Sequence, residues 1–415
     1  MATLAAMLKR KGLVVSGSDQ DVYPPMSDFL AAEGIPTLAG YRADHITGDL
    51  DLVIVGNAIS RGNPELEEML DRKIRYCSLP EAIREHFLWG ARSIVIAGTH
   101  GKTTTTGMLA KILERSGKQP TAIVGSIVRN FGSNFLAGSP DLLVVEACEY
   151  RDHVLKLSPE ILVITNIELD HTDYFPDLAA LQETFRKAVE KVPAHGAIIT
   201  DPADPAIKPV LKHVPTRVVD YTAETVPELG LIGEFNRANA RAAKAAARAA
   251  FPDIKDGAID DALAHFRGSW RRFEYKGETP SGALVYDDYA HHPTAIRKTI
   301  EAARQKFPGK KIIVAFHPHL FSRTRDFMDD FADSLATADE IVLAPIYAAR
   351  EAPIPGVSSD VLAKKIAALG TPAQAFPSLH DAYEYLATSY QLPATSLLIT
   401  MGAGDIYKVA EQIAD

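Results

Sequence analysis

Two cysteines, Cys77 and Cys148, are all that 415 residues contain. That excludes a disulfide framework and makes reduced thiols in a cytoplasmic protein the expectation. No stretch approaches the roughly 18 consecutive apolar residues of a membrane span. Positive charge is short as well: 44 lysines and arginines stand against 53 acids, a net charge of −9. This argues against a general nucleic-acid binder and against a basic membrane-surface protein. The N-terminal MATLAAMLKRKG has no long apolar stretch ending in a cleavage site, so no signal peptide is expected. No internal repeat stands out. The only compositional bias is the alanine-rich segment Ala238–Ala250, expected to be a helix that faces solvent over most of its length.

What is present is an alternation. Short runs rich in Val, Ile and Leu fall at Leu13–Val15, Leu52–Val55, Ile94–Ala97, Leu142–Glu146, Ile161–Thr165, Ala283–Tyr286, Ile312–Ala315, Glu340–Ala344 and Ser396–Thr400. Most precede a stretch of helical spacing. The pattern predicts an α/β protein with parallel sheets and helices on their faces. The chain is too long for one ordinary core. Breaks near residue 90 and near Ser269–Arg272 divide it into three expected domains, 1–88, 89–269 and 270–415.

Five stretches carry chemistry. The first is GTHGKTTTT, Gly98–Thr106, between an apolar strand and a helical pattern. Its backbone N–H groups and the following helix N-terminus suit phosphate, with Lys102 reaching the β- and γ-phosphates and the Thr103 hydroxyl available to Mg²⁺. A kinase, a GTPase, a motor and a ligase can all begin this way, and a plain glycine turn with a capping threonine is the bland alternative. The second is Glu146, at the end of a strand on the side where parallel sheets bind ligands, with Glu149 nearby. Alone, such a glutamate is more often a cap or a surface residue. The third is TNIELDHTD, Thr165–Asp173, which lacks the Asn-Lys-x-Asp of a guanine reader and offers Glu168, Asp170 and His171 to a second metal. The fourth and fifth are VYDDYAHHP (285–293) and FHPHLFSRTRD (316–326). Each alone could be a solvated polar turn. On consecutive strands of one sheet they form an expected pocket for an anionic substrate.

Together with EACE (146–149) and RRFE (271–274), these motifs resemble the Mur ligase family, bacterial enzymes that build the peptide of the cell wall. The resemblance runs from near Met1 to near Ile406. It implies a truncated Rossmann-like N-terminal domain, a central P-loop ATPase domain and a C-terminal Rossmann-like domain. Within the family the chain looks like the branch that joins L-alanine, or a murein tripeptide, to UDP-N-acetylmuramate. The 317–326 loop and the stretch 344–359 resemble the L-alanine enzymes. The stretches 17–27 and 56–65 look more like the tripeptide-recycling ones. The implied reaction is ATP-dependent: a substrate carboxylate becomes an acyl phosphate, an amine attacks it, and phosphate leaves.

Carried over by position, the resemblance implies that Gly98, Thr99, His100, Gly101, Lys102, Thr103 and Thr104 hold ATP. Thr103, Glu146 and His171 ligate Mg²⁺. Asn236 and Asn239 read adenine, and Arg271 lies near the nucleotide phosphates. Tyr289, His291, His319 and Arg323 take the incoming L-amino acid or short peptide. Ser18, Asp19, Asn63 and Glu65 lie where the uridine nucleotide sits. The catalytic set is Lys102, Glu146, His171, His291 and Arg323. A cytoplasmic monomer or weak homodimer is expected, with no nucleic-acid or membrane partner.

The sequence departs from the family pattern in places. Met1–Leu4 match residues just after the strand and Gly-rich loop that cradle the UDP diphosphate. Cys148 replaces an aspartate, Phe235 a histidine, and Leu320 an arginine that helps hold the amino acid carboxylate. Phe185 stands at the position of the carbamylated lysine of some members, so no carbamate is expected. The segment 201–231 looks short. These departures motivate a second reading, a non-catalytic ATP-binding paralogue, against which Lys102, Glu146 and His171 argue. A polyglutamate- or cyanophycin-type ligase shares only the central domain. Two substitutions follow as expectations: Lys102→Ala abolishes turnover with little loss of stability, the loop being exposed, and Leu320→Arg tightens L-alanine binding.

Overall fold

The structure, a computed structural model, describes residues 1–22, 26–349, 351–389 and 392–414. Tyr23, Pro24, Pro25 and Arg350, which belong to the resembling stretches, lie outside them.

The central sheet has seven strands. In spatial order they are Arg217–Asp220, Ala197–Thr200, Ile161–Ile164, Arg92–Ala97, Ser139–Glu146, Pro120–Val128 and Ser133–Leu136. All neighbours are parallel except the last pair. Ile94, Val95, Ile96 and Ala97 are fully buried because helices cover both faces, which is why the strand reads as an unbroken apolar run. Strand Arg92–Ala97 lies between the other two strands that matter most. Ile96 pairs with Glu146, and Ala97 with Ile164. The loops after these three strands therefore emerge side by side at one end of the sheet, the end where such sheets bind ligands.

The C-terminal sheet runs Glu274–Glu278, Leu284–Asp288, Ser396–Met401, Lys311–Phe316, Glu340–Leu343 and Ala373–Ala375, parallel except for its first pair. The N-terminal region holds two small parallel pairs, Gly17–Asp19 with Thr37–Ala39 and Val53–Val55 with Tyr76–Ser78. Its helix Ala2–Arg10 buries Leu4, Met7 and Leu8 in a cluster shared with Phe135, Leu143 and Val145 of the central sheet. No helix among the described residues is long and apolar enough to cross a membrane.

Three expectations are corrected. Leu13–Val15 is not a strand; the Leu13 N–H closes the preceding helix on the Leu8 carbonyl, Val14 is exposed, and pairing starts at Gly17. The alanine-rich helix, Glu234–Ala250, does not face solvent over most of its length. Ala240, Ala242, Ala243, Ala245, Ala246, Ala247 and Ala250 are buried in one core with Met108, Leu109, Ile112 and Leu113 of the helix Lys102–Arg115. Small side chains let two helices approach closely. The strands before the fourth and fifth motifs are consecutive in the chain but not in the sheet, for Ser396–Met401 lies between them.

Phe185, on the helix Leu178–Glu190, is fully buried in the cluster of Leu162, Ile164, Val189 and Ile198. Phe185→Ala is expected to cost about 3–5 kcal/mol, read from the urea midpoint; a loss well under 1 kcal/mol would mean that this layer can collapse into the space.

Candidate active site

Gly98 and Gly101 have φ of +123° and +82°, conformations that favour glycine. A Cβ on Gly98 would strike Thr165 Oγ1 and the Asn166 carbonyl, and one on Gly101 would strike Asn239 Oδ1. The loop thus needs glycine for its shape and for the close approach of its neighbours. Gly101 caps the helix Lys102–Arg115, whose first turn carries no acid. Its positive dipole end is left for an anion.

The loop is not exposed, contrary to expectation. Lys102 Nζ donates to the carbonyls of Gly98 (2.5 Å) and Thr99 (3.1 Å) and to Glu149 Oε2 (3.1 Å). The Glu149 side chain is only 2% exposed. Burial alone would lower the Lys102 pKa, but the charge of Glu149, helped by that of Glu146, raises it, so the lysine stays cationic. Glu149 is a partner that the sequence reading left as merely nearby.

Thr103 Oγ1 donates to Glu146 Oε1 at 2.9 Å, and Arg272 Nη2 donates to the same hydroxyl at 3.3 Å. Glu146 Oε2 also accepts from the Gly125 N–H at 2.5 Å. A hydroxyl and a carboxylate side by side at a helix N-terminus are the hard oxygen donors that suit Mg²⁺. His171 lies on the far side of Glu149, its Nε2 3.7 Å from Glu149 Oε1. Its backbone φ is +53°, an uncommon conformation for a non-glycine residue. Burial keeps the imidazole pKa below its usual value despite the Asp170 and Glu149 charges, so its nitrogens are available as ligands.

The segment Thr165–His171 braces everything around it. Asn166 takes the Thr99 N–H on its carbonyl (3.0 Å) and the His100 N–H on its side chain (2.9 Å). Thr99 Oγ1 donates to the Glu168 carbonyl at 2.9 Å, and His100 Nε2 meets Glu168 Oε2 at 2.9 Å. From the C-terminal domain, Thr294 Oγ1 donates to the Glu168 carboxylate and His292 Nε2 to the Leu169 carbonyl (3.1 Å). Arg323 grips Asp170 Oδ1 through Nη2 (2.6 Å) and Nε (3.1 Å), both side chains nearly wholly buried. Burial would raise the Asp170 carboxyl, but Arg323 holds it well below the usual range. Thr294, His292 and Arg272 were not singled out in the sequence, because nothing local marks a residue whose partner lies across a domain boundary; Asn166 was not either, its partner His100 lying 66 positions away.

Arg323 Nη1 lies 3.1 Å from His319 Nδ1, and the His319 ring stacks on Tyr347. His319 and His291 face each other at 6.4 Å, and Tyr289 packs edge-on to His291 at 5.1 Å. The four expected amine-pocket residues therefore share one wall. His291 Nδ1 lies 2.9 Å from the Tyr289 carbonyl. A carbonyl can only accept, so Nδ1 carries the proton and Nε2 the lone pair. Burial, then the Arg323 charge, pushes the His291 pKa well down.

Arg271 is placed otherwise than expected. Its guanidinium is buried and committed to Asp287 (2.7 Å) and to the carbonyls of Gly402 (2.6 Å) and Gly404 (2.9 Å). The loop after the intervening strand Ser396–Met401 supplies those carbonyls. Asn236 and Asn239 are buried on the first turn of the alanine-rich helix, 3.3 Å apart, beside Gly101. In the N-terminal region Ser18 Oγ donates to Glu65 Oε2 (2.6 Å), and His45 meets Glu65 Oε1 (2.7 Å). Asn63 caps the helix Pro64–Asp71, and Asp19 accepts from Tyr41 (3.1 Å). Among the described residues these four make no hydrogen bond or ion pair with the loop Gly98–Thr104. Leu320, at φ +69°, is only 3% exposed. An arginine there would bury a charge, so Leu320→Arg is expected to destabilise the loop before it can tighten binding.

Lys102→Ala leaves Glu149 buried without its counter-charge and is expected to cost about 3–5 kcal/mol. Adding Glu149→Gln should recover most of that in urea denaturation; no recovery would mean that the pair is not what the loss reports. Burial would raise Glu168, but its hydrogen bonds from His100 and Thr294, with the nearby histidine charges, hold it at about 2, below the ordinary 4.5. Its contribution is complete above about pH 4.5 and lost as pH falls towards 2. Glu168→Gln should flatten the stability profile in that window, and an unchanged acid limb would contradict the bracing.

The sequence patterns of three family domains match the chain. They are the Mur ligase catalytic domain over residues 1–88, the Mur ligase middle domain over 96–227 and the Mur ligase glutamate ligase domain over 271–404. A UDP-N-acetylmuramate–L-alanine ligase of Salinibacter ruber is 37% identical, the match covering 100% of this chain and 92% of that protein. One of an Arthrobacter species is 39% identical over 89% and 84%. Among solved structures, a murein peptide ligase of Psychrobacter arcticus superposes with a TM-score of 0.75 at 26% identity. A UDP-N-acetylmuramate–alanine ligase of Thermotoga maritima does so with 0.81 at 24%, a likeness of fold. Each superposition covers 100% of this chain and 95% of the other. The three domain matches together take in most of the chain, and relatives 37% and 39% identical are matched over most of their length: the chain belongs to the Mur ligase family.

Proposed function

We propose that this chain is an ATP-dependent amide ligase that joins L-alanine to the carboxylate of UDP-N-acetylmuramate through an acyl phosphate. The observation that carries the reading is the convergence of Lys102, Thr103 and Glu146 with a C-terminal wall of Tyr289, His291, His319 and Arg323, held together by one loop. A phosphoryl donor and an amine acceptor would meet there, and positioning supplies much of the rate of such a reaction.

In the proposed cycle the backbone from Gly98 to Thr104 and the Lys102 ammonium hold the phosphates, while Asn236 and Asn239 read adenine. Thr103, Glu146 and His171 would hold Mg²⁺, which spreads the charge of the transferring phosphoryl group. The carboxylate oxygen bonds to the γ-phosphorus as ADP leaves. Arg323 and His319 orient the amino acid carboxylate, and Arg323 keeps Asp170 as its second partner. His291 Nε2 takes the ammonium proton, the amine attacks the acyl carbon, and phosphate departs. Ser18, Asp19, Asn63 and Glu65 would line the uridine end. Arg272, which already touches Thr103, replaces Arg271 as the arginine beside the phosphates.

Tripeptide addition is the second reading, favoured by Leu320 in place of an arginine. Phosphate release from ATP and Mg²⁺ with UDP-N-acetylmuramate, compared across L-alanine, glycine, L-serine and the tripeptide, decides between them. Release is expected to require the UDP sugar and to be fastest with L-alanine; release with the tripeptide alone would overturn the assignment. Arg272→Ala should weaken nucleotide binding roughly tenfold and spare stability, whereas Arg271→Ala should cost about 3–5 kcal/mol by breaking a buried ion pair. Calorimetry and urea denaturation of the two variants check this, and the reverse pattern would return the phosphate role to Arg271.

A further inference from the structure

Tyr347, the ring stacked on His319, is 40% exposed and takes no part in the proposed cycle. Its backbone is tied on both sides to the segment that carries His319. The Tyr347 N–H donates to the Pro318 carbonyl at 2.8 Å, and the Leu320 N–H donates to the Tyr347 carbonyl at 2.9 Å. His319 and Tyr347 are thus register partners in an isolated parallel bridge, and register partners point their side chains to the same face. Their rings are only 14° from parallel, with centroids 5.6 Å apart, an offset stack.

His317 precedes His319 by two residues, and in extended chain such residues share a face. Its ring stands at 90° to that of Tyr347, 5.6 Å away. The His317 side chain is buried, and its Nδ1 has no hydrogen-bond partner among the described residues. Burial pushes its pKa down to about 4, so the imidazole is neutral at pH 7. A buried nitrogen without a partner calls for an explanation, and the loop after the strand Ser396–Met401 supplies one. A Cβ on Gly404 would lie 2.7 Å from His317 Nδ1 and 3.3 Å from Tyr347 Cδ2. The imidazole is therefore a wedge that fills the space between the Gly402–Gly404 loop and the Tyr347 ring.

The tautomer of His319 follows from Arg323. A guanidinium can only donate, so the 3.1 Å contact of Arg323 Nη1 requires a lone pair on His319 Nδ1 and puts the ring hydrogen on Nε2. His291, which faces it, has the opposite tautomer, so one Nε2 donates where the other accepts. A half turn of the His319 ring about its Cβ–Cγ bond would bring a carbon in front of Arg323. To make that turn the ring must swing its edge into the face of Tyr347.

We infer that Tyr347 is a positioning residue of the amine pocket: backed by His317, its face stops the His319 ring from turning, so that Nδ1 stays on Arg323 and the Nε2 hydrogen is held towards a carboxylate oxygen of the incoming amino acid. The identity of that carboxylate rests on the ligase reading; the fixed tautomer does not.

The test is nitrogen NMR of the full chain carrying isotopically labelled histidine, without substrates, the His319 signals being assigned by their loss in His319→Gln. The unmodified protein is expected to show a lone pair on Nδ1 and a hydrogen on Nε2. Tyr347→Ala should average the two tautomers, and Tyr347→Phe, which keeps the ring, should restore the single one. In the phosphate-release assay Tyr347→Ala should raise KM for L-alanine about five- to tenfold, roughly the worth of one aromatic pair. KM for ATP should stay within about twofold, as expected when only amine binding is lost, and Tyr347→Phe should restore KM for L-alanine. Circular dichroism of each variant checks folding. A hydrogen on His319 Nδ1 in the unmodified protein, an unchanged tautomer in Tyr347→Ala, or equal rises in KM for ATP and L-alanine would overturn the role. No turnover of L-alanine by the unmodified protein would count against the ligase reading alone, since the imidazole signals are read without substrate.

Discussion

The ion pair of Asp170 with Arg323 is the contact on which the rest depends. It joins a loop of the central sheet to a short helix of the C-terminal domain, and both charges are out of water. Such a pair adds little net stability over a well-packed apolar contact, but breaking one half of it is costly. It therefore selects one relative placement of the domains. The Thr294–Glu168 and His292–Leu169 hydrogen bonds repeat the same choice on adjacent residues. On its other side the same loop fixes Thr99 and His100. One segment of the chain thus holds both the phosphate loop and the wall expected to receive the amine.

Four of the ten non-glycine residues with positive φ among the described residues, His171, Arg271, Phe273 and Leu320, lie in the loops that build this bracket. Such conformations persist only where their surroundings over-determine them. The buried bonds of Arg271 to Asp287, Gly402 and Gly404 are a clear case. They lock the entry to the C-terminal sheet, so that the neighbouring Arg272 is delivered to Thr103.

What could be read in the sequence was what is contiguous. The apolar strand, the two glycines, Lys102 and Thr103 lie within a dozen residues, and phosphate loops demand that order. The α/β class followed from the alternation of buried strands with helices, since parallel strands covered on both faces advertise themselves as apolar runs. Edge strands such as Arg217–Asp220 and Glu274–Glu278 escaped notice because half-exposed residues carry no such run. Glu149, 47 positions from Lys102, and Asp170, 153 positions from Arg323, lay too far along the chain for spacing to pair them. The alanine helix misled because alanine is both the best helix former and the smallest means of packing two helices closely. Composition cannot separate those uses.

The central claim is that the phosphate loop activates a carboxylate rather than driving a switch. It is tested most directly by labelling the carboxylate of UDP-N-acetylmuramate with heavy oxygen and analysing the phosphate released during turnover with L-alanine by mass spectrometry. An acyl phosphate requires one labelled oxygen to leave with the phosphate. Unlabelled phosphate, with the amide still formed, would mean that the carboxylate is never phosphorylated and would contradict the account.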